Sequence, residues 1–274
     1  MKVAFAYPGF ENLGIEYISA MLKKHGHQTF LAFDPQLFRD LYMSLPLLPG
    51  AFDYRERLMH QLKREKPDLV AFGVVSDNYP WACAMAERIK NEIETPILFG
   101  GPHVTAVPEK VMEKPFVDFC IVGEGEYATL ELAELLDAGM PIHGIPNLAY
   151  RRDGRVIINE PRPLIQDLDH LPFPDVDLFL EQNPYARFEY SVITARGCVG
   201  SCTYCHNSVD RKVLWKNRGK YLRRRSIDNV ITELKERKDK YNYSTVCFWD
   251  EVFTYDQDWL EEFCTRYRRE IGVP

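Results

Sequence analysis

The architecture follows from the run Asp68-Leu69-Val70-Ala71-Phe72-Gly73-Val74-Val75, in which apolar residues follow one another without alternation. A continuous apolar run of this length is typical of a strand buried on both faces of a parallel sheet. Residues 81–93 then show helical periodicity, and residues 96–99 form a second apolar run that ends in Gly100-Gly101. Strand, helix and strand in this order predict a βαβ unit.

The same alternation extends in both directions from this unit. Further strands are predicted over residues 2–7, 28–33 and 117–122, and further helices over residues 14–25, 109–113 and 127–137. Residues 35–66 interrupt the alternation and are predicted to be an insertion with two short helices around residues 46–50. Strands that alternate with helices predict an α/β domain, a doubly wound, Rossmann-like parallel sheet over residues 1–138.

Loops at the carboxyl ends of these strands are the expected ligand-binding positions. They carry the candidate cofactor-binding residues Val75, Ser76, Gly100, Gly101, His103, Thr105, Gly123, Glu124 and Gly125. Glycine at such positions lets a large ligand approach the backbone, although tight turns explain many of them equally well. The motif G-x-G-x-x-G does not open the first helix and G-x-x-x-x-G-K-[ST] is absent from the sequence, which argues against nucleotide hydrolysis.

Residues 139–189 are predicted to be a linker. Within it, residues 147–151 and 155–159 flank Asp153-Gly154, a pair that favours a tight turn, so we expect a small β-hairpin. Prolines then recur between residues 161 and 184, which is typical of an extended connector. A second domain follows over residues 190–274.

A cluster of cysteines follows the apolar run at residues 190–195. The segment reads Arg196-Gly197-Cys198-Val199-Gly200-Ser201-Cys202-Thr203-Tyr204-Cys205-His206. Glycines beside Cys198 let the backbone turn tightly, so that three thiols can point at one object. Three thiolates suit an iron–sulfur cluster or zinc. Disulfide formation and haem attachment are disfavoured because the sequence opens without a secretion signal.

Zinc and a four-iron cluster differ in the ligands that they need besides these three cysteines. Structural zinc needs a fourth protein ligand, for which Cys247 and Cys264 are distant candidates. A cubane cluster normally takes four cysteines, so three of them leave one iron open to an exogenous ligand. An open iron is typical of a catalytic cluster rather than of one that only carries electrons.

The second domain is predicted to begin a TIM-like barrel. A helix starts after Ser226, a strand over residues 245–249 ends in Asp250-Glu251, and another helix starts at Asp256. A β/α unit uses about 30 or more residues, so residues 190–274 predict the first two units of a partial barrel, whose catalytic residues lie at the carboxyl ends of its strands.

A run of basic residues without an acid lies between the cysteines and this helix. Its members are Arg211, Lys212, Lys216, Arg218, Lys220, Arg223, Arg224 and Arg225. Such a run can bind a carboxylate or phosphate of a cofactor or substrate, and it can equally be a solvated loop face.

The cysteine segment resembles the radical S-adenosylmethionine (SAM) superfamily. The family hallmark Cys-x-x-x-Cys-x-aromatic-Cys is matched by Cys198, Cys202, Tyr204 and Cys205. The resemblance implies a 4Fe-4S cluster held by the three cysteines, with SAM chelated on the open iron and Tyr204 near its adenine. It also implies that Asp250 or Glu251 contacts the SAM amino group, although the family often has Gly-Gly-Glu there.

Residues 1–138 resemble the cobalamin-binding domain that precedes many radical SAM enzymes. The resemblance rests on the order of the elements and on the segments at residues 100–105 and 122–126. Many cobalamin proteins carry Asp-x-His-x-x-Gly after the first strand, with a histidine that binds cobalt from below. The corresponding residues 7–14 contain no histidine. The resemblance therefore implies cobalamin whose lower face lacks a histidine ligand, with His103 as a candidate polar contact.

Together the resemblances imply a cobalamin-dependent radical SAM enzyme, most simply a methyltransferase. In that family a deoxyadenosyl radical removes hydrogen from an unactivated carbon and methylcobalamin supplies the methyl group. The alternatives are a non-methylating reaction such as ring closure, a cobalamin or cluster carrier module without turnover, and a zinc-stabilised binding protein. Because the family's barrel needs more units than residues 190–274 can hold, we expect a fragment, or a chain that depends on a partner and is impaired in catalysis alone.

Composition limits the partners. The chain has 274 residues and a net charge of -6, which argues against nucleic acid because phosphate binding needs an overall basic balance. No apolar run reaches the roughly 18 residues of a membrane span, and no leader precedes the first strand, so we expect a cytoplasmic protein. The expected partners are a small-molecule substrate, anionic if the basic run binds it, and an external electron donor.

Overall fold

The computed structural model describes residues 1–36, 54–183 and 187–274. They form two compact units. The first unit consists of Met1–Pro161 and Pro174–Gln182, and the second of Arg162–Phe173 and Asn183–Pro274. Of the two short helices predicted around residues 46–50, the second is expected to carry Leu58 and Leu62 on one face and lies among the described residues. Residues 37–53 lie outside the described residues. No helix in the described ranges combines the length and the apolarity that crossing a membrane requires.

The first unit is built on a seven-stranded sheet in the order β2-β1-β3-β4-β5-β6-β7. Its strands are β1 (Lys2–Pro8), β2 (Gln28–Asp34), β3 (Leu69–Gly73), β4 (Ile97–Gly100), β5 (Phe119–Ile121), β6 (Leu148–Arg152) and β7 (Arg155–Ile158). Strands β1 to β5 all pair parallel with one another. This confirms the doubly wound parallel sheet. The order changes direction between β1 and β3, the point beside which such sheets bind ligands.

The helices of this unit pack on the sheet. They are α1 (Leu13–Lys24), α2 (Tyr54–Glu65), α3 (Tyr79–Ile93), α4 (Pro102–Ala106), α5 (Pro108–Met112), α6 (Glu126–Asp137) and α7 (Asp177–Leu180). Helix α2 buries Leu58 and Leu62, the apolar face expected from their spacing. The short helix predicted at residues 109–113 is present as α5, and a further helix, α4, precedes it and ends before Val107-Pro108. Proline has no N–H to donate and disfavours helical backbone at the preceding residue.

The hairpin β6–β7 extends the main sheet. Its turn has positive φ at Asp153 (50°) and Gly154 (73°), the type I′ geometry expected from the sequence. Strand β6 pairs antiparallel with β5, and Leu148 and Ala149 are fully buried. The sequence assigns this hairpin to a linker over residues 139–189, whereas in the structure it covers the edge of β5 with apolar side chains.

The second unit contains a parallel strand pair, β8 (Glu189–Val192) and β11 (Thr245–Phe248), joined through helix α9 (Ile227–Tyr241). Between β8 and α9 lie a short antiparallel pair, β9 (Ala195–Arg196) and β10 (Arg223–Arg224), and helix α8 (His206–Lys212). Helix α10 (Gln257–Glu270) follows β11. Two β/α units are therefore present, and their place in a barrel stays a prediction.

Candidate functional site

The carboxyl edge of the first unit is tied together by hydrogen bonds between its loops. After β3, Val75 N donates to Asn78 Oδ1 at 2.9 Å and Asn78 Nδ2 donates to Gly73 O at 3.0 Å. Backbone bonds from Val74 N to Gly100 O (2.7 Å) and from His103 N to Val74 O (3.2 Å) join this loop to the one after β4. The loops after β3 and β4 therefore form one surface.

Thr105 links the loops after β4 and β5. Its hydroxyl donates to Gly101 O at 3.0 Å and accepts from Gly123 N at 2.9 Å. The sequence analysis proposes Thr105 as a cofactor contact, and the structure shows that its hydroxyl already has two internal partners. Gly123, Glu124 and Gly125 are partly exposed at this edge.

Gly101 is at a position where only glycine fits. Its φ is 107°, and a Cβ there would lie 2.7 Å from Val74 O. A positive φ of this size is strained for every residue with a side chain. The carbonyl that a Cβ would meet is that of Val74, which directly follows β3. The glycine therefore keeps the loops after β3 and β4 in close contact.

Ser76 and His103 form a polar pair at the same edge. Ser76 Oγ lies 2.9 Å from His103 Nδ1, and the imidazole packs against the Tyr79 ring at a tilt of 31° with centroids 4.2 Å apart. Burial lowers the pKa of His103, so the neutral imidazole is favoured near neutrality. No role was predicted for Tyr79 or Asn78, although both lie shortly after β3, in the region expected to bind ligand.

Apolar side chains also reach the surface at this edge. Phe10 follows β1 and is 56% exposed, and Val75 follows β3 and is 36% exposed. These strands flank the change in strand order, where doubly wound sheets bind ligands. Exposed apolar groups beside a few fixed polar groups are typical of a site for a large, partly apolar ligand, and this fits a corrin ring.

Three of the five cysteines of the second unit, Cys198, Cys202 and Cys205, lie on one loop between β9 and α8. Gly197 opens the loop with a φ of 91° and packs against the Tyr221 carbonyl. A side chain at position 200 would meet Cys198 Sγ at 3.3 Å and Cys202 Sγ at 3.6 Å, so these sulfurs face the same space beside Gly200. Cys205 caps α8, and its N–H donates to Cys202 O at 3.2 Å.

All three thiols are free, with Cys202 exposed and the other two half-buried. In residues 1–36, 54–183 and 187–274, no three His, Cys, Asp or Glu side chains are grouped closely enough to hold one metal ion. Separate irons of a cluster each take one thiolate, so these cysteines need not converge on one atom. The donor set and the space beside Gly200 fit a polynuclear cluster.

Tyr204, between Cys202 and Cys205, projects into solvent with 91% of its surface exposed. A hydrogen bond with Cys202 raises the pKa of Tyr204. Its ring is therefore accessible on the cysteine loop, as a residue that stacks on a ligand must be.

The acids after β11 differ in what they contact. Asp250 accepts hydrogen bonds from Thr194 N at 3.1 Å and Thr194 Oγ1 at 2.8 Å, which attach it to the end of β8. Burial raises the pKa of Asp250 despite these bonds. Burial, followed by the charges of Asp210 and Glu251, raises the pKa of Tyr221 to about 12. Glu251 is exposed and is therefore the more accessible of the two carboxylates.

Arg225, a candidate cofactor contact from the sequence, is buried among internal partners. It forms an ion pair with Glu233, donates from Nε to Asn229 Oδ1 at 2.6 Å and from Nη1 to Ile193 O at 3.0 Å. Tyr190 donates to Glu233 Oε1 at 2.5 Å, completing a buried network below β8. The structure thus gives Arg225 a role in holding β8.

Other members of the basic run are divided between internal contacts and solvent. Arg223 donates to Ile165 O at 2.9 Å, and the Arg224 guanidinium lies 4.1 Å and 4.2 Å from the ring centroids of Tyr255 and Trp259. The exposed members are Lys212, Lys216 and Lys220. The sequence could not separate these groups because side-chain direction depends on tertiary packing.

Comparison with known proteins finds a family that matches most of the first unit. Residues 3–133 match the model of the B12 binding domain family. An uncharacterized methyltransferase of Pyrococcus horikoshii is 32% identical over 217 residues, which are 76% of this chain and 45% of the relative. Cytidylyl-2-hydroxyethylphosphonate methyltransferase of Streptomyces wedmorensis is 26% identical over 96% of this chain and 54% of its own length. The chain spans about half the length of these relatives.

A solved structure shares the fold over both units. The radical SAM methyltransferase TsrM of Kitasatospora setae, with cobalamin and a [4Fe-4S] cluster bound, matches with a TM-score of 0.71 and 17% identity. The match covers 98% of this chain and 52% of that chain.

Proposed function

We propose that this chain works in a cobalamin-dependent radical SAM methyltransferase acting on an unactivated carbon. Residues 3–133 match the B12 binding domain family, the cysteine segment resembles that of radical SAM enzymes, and a radical SAM methyltransferase shares the fold. The observation that carries the proposal is the cysteine loop, where three free thiols follow β9 and two of them face the space beside Gly200. Support comes from the relatives, two of which are named methyltransferases.

Cys198, Cys202 and Cys205 would each bind one iron of a [4Fe-4S] cluster and leave the fourth iron open. The chemistry that a bound cluster, SAM and cobalamin supply is reductive cleavage of SAM and transfer of a methyl group. Gly200 leaves the space beside Cys198 Sγ and Cys202 Sγ free of any side chain. At this loop the protein would present three thiolates around a cluster of several metal ions.

Glu251 would bind the SAM amino group. Its carboxylate is exposed, whereas the Asp250 carboxylate accepts from both Thr194 donors. An exposed carboxylate pairs with an ammonium without first losing internal hydrogen bonds. Tyr204 would stack on the adenine, since its ring is accessible beside Cys205.

The carboxyl edge of the first unit would hold cobalamin. Ser76 and His103 would give fixed polar contacts, Phe10 and Val75 would give apolar contact, and Gly100, Gly101 and Gly123–Gly125 would allow close approach of the backbone. Thr105 would act by holding these loops together, because its hydroxyl is engaged by Gly101 and Gly123. The residues after β1 include no histidine, so the lower face of the corrin would lack that ligand.

The remaining partners are proposed from charge. Exposed Lys212, Lys216 and Lys220 would attract an anionic group of the small-molecule substrate or an acidic face of an electron donor. The reductant that the chemistry needs and the free thiols are both consistent with a reducing, cytoplasmic setting.

The proposal is tested by anaerobic reconstitution of the chain with iron, sulfide and cobalamin. We expect about four irons per chain, bound cobalamin, and deoxyadenosine when SAM and dithionite are added together. Omitting dithionite should stop deoxyadenosine formation. A chain that binds both metals and yields no deoxyadenosine would support a carrier module, and a chain that retains zinc but no iron would exclude the cluster.

A further inference from the structure

Arg211 turns back from the last turn of α8 onto the cysteine loop. Its Nη2 donates to Ser201 Oγ at 2.6 Å, and its Nη1 lies 3.3 Å from Val199 O and 3.5 Å from Cys198 O. The basic run therefore includes one guanidinium that is attached to the segment between two of the cysteines.

These contacts fall on the bend 199–201, which joins Cys198 to Cys202. The bend is open to solvent, with Val199 48% exposed, and Gly200 adds backbone freedom at its centre. A guanidinium is a planar fork whose donors hold their acceptors in a fixed geometry. By fixing the residues on both sides of Gly200, Arg211 sets where Cys198 Sγ and Cys202 Sγ lie relative to each other.

The position of Arg211 also has an electrostatic consequence. A permanent positive charge beside the Cys198 carbonyl stabilises the reduced cluster, which carries one more electron, relative to the oxidised cluster. Charge and hydrogen bonding near the sulfurs are among the properties that set the potential of an iron–sulfur cluster. Removing the charge should therefore make the cluster harder to reduce.

We infer that Arg211 is a positioning residue for the cluster, which braces the bend between Cys198 and Cys202 and raises the reduction potential of the bound iron–sulfur group. The inference rests on the proposed function. It assigns Arg211 no contact with iron or with substrate, and it separates Arg211 from the exposed lysines of the same basic run.

The test compares Arg211→Gln, Arg211→Lys and Lys212→Gln after reconstitution. Lys212 is the matched control because it follows Arg211 on α8, is exposed, and loses the same charge. For Arg211→Gln we expect iron release to a chelator about ten times faster than in the unchanged chain, the usual cost of losing a partner of a metal ligand, and a lower midpoint potential. Arg211→Lys should restore the potential but not the slow release, and Lys212→Gln should change neither.

If Arg211 only stabilised the fold, its replacement would leave the reduction potential of the cluster unchanged. The reduction potential therefore distinguishes a positioning role from a purely structural one. Thermal unfolding followed by circular dichroism would verify that each variant is folded. If Arg211→Gln keeps either the normal release rate or the normal potential, the inference is wrong. If the unchanged chain takes up no iron and sulfide, the proposed function fails instead, so the two failures are distinguishable.

Discussion

The carboxyl edge of the first unit and the cysteine loop of the second are built in contrasting ways. At the edge, Asn78 holds the loop after β3, and Thr105 ties the loops after β4 and β5 together. Asn147, which is fully buried, donates to Val122 O at 2.7 Å. In the cysteine loop, Cys202 and Tyr204 face solvent, and Arg211 and Ser208 contact the loop through its carbonyls. The edge is a surface that exists before a ligand binds, whereas we expect the loop to be ordered further by what it binds.

The largest effect should come from removing one thiol of the loop. Cys202→Ala should lower the iron bound after reconstitution from about four per chain to the background level, because a cluster with two protein ligands is not retained. Cobalamin binding to the first unit should not change. Cys264→Ala, in a half-buried cysteine on α10, is the control and should keep its iron. Equal iron in the two variants would contradict the assignment of the cluster.

The buried network under β8 gives the next effect, on stability. Glu233→Ala leaves the Arg225 guanidinium buried without its ion-pair partner, so we expect the free energy of unfolding of the second unit to fall by about 3–5 kcal/mol. Glu236→Ala removes an exposed acid on the same helix and should alter this free energy of unfolding by about 0.5 kcal/mol or less. Denaturant unfolding measures both. A loss in Glu233→Ala no greater than that in the control would show that the network does not hold β8.

A smaller effect is expected at the preformed edge. Gly101→Ala places a Cβ against Val74 O and should cost about 1–3 kcal/mol of stability, together with weaker cobalamin binding, because the loops after β3 and β4 must separate. Gly139→Ala is the control, because Gly139 also has a positive φ (62°) but a Cβ there meets nothing within 4 Å. It should therefore cost less and leave cobalamin affinity unchanged in an absorption titration. Equal affinities in the two variants would mean that the edge does not need this close contact.

The smallest effect is a pH dependence at Asp250. Burial raises the pKa of this acid in the folded chain, so folding favours its protonated form. Its contribution to stability is fully present below the unfolded pKa of about 4 and is lost as the pH rises through the higher folded value. Asp250→Asn cannot ionise and should flatten the decline of stability with rising pH. Asp258→Asn, an exposed acid on α10, should keep the slope of the unchanged chain.

The parts predicted from the sequence are those with strong local signals. Continuous apolar runs identified the parallel strands, and the pair Asp153-Gly154 identified the hairpin turn. That β6 pairs with β5 was missed, because strand pairing is a tertiary choice that no local pattern encodes. The helix boundary at Val107-Pro108 has a local signal in its proline, which disfavours helical backbone at the preceding residue.

Site residues show the same division. The spacing of the cysteines pointed to three thiols on one loop, which the structure also has. The basic run, in contrast, looked uniform in sequence, whereas Arg225 pairs with Glu233, Arg211 contacts the cysteine loop and Lys212 is exposed. Side chains of one type differ in role here only through their three-dimensional neighbours, so these roles could not be read from residue type and spacing.

The central claim is that the cysteine loop holds a cluster with one iron open to SAM. The most direct measurement is the electron paramagnetic resonance spectrum of the reduced, reconstituted chain, recorded with and without SAM. We predict a cluster signal whose g-values change when SAM is added, and no such signal in Cys202→Ala. A spectrum that SAM leaves unchanged, or a chain that retains zinc and no iron, would contradict the account.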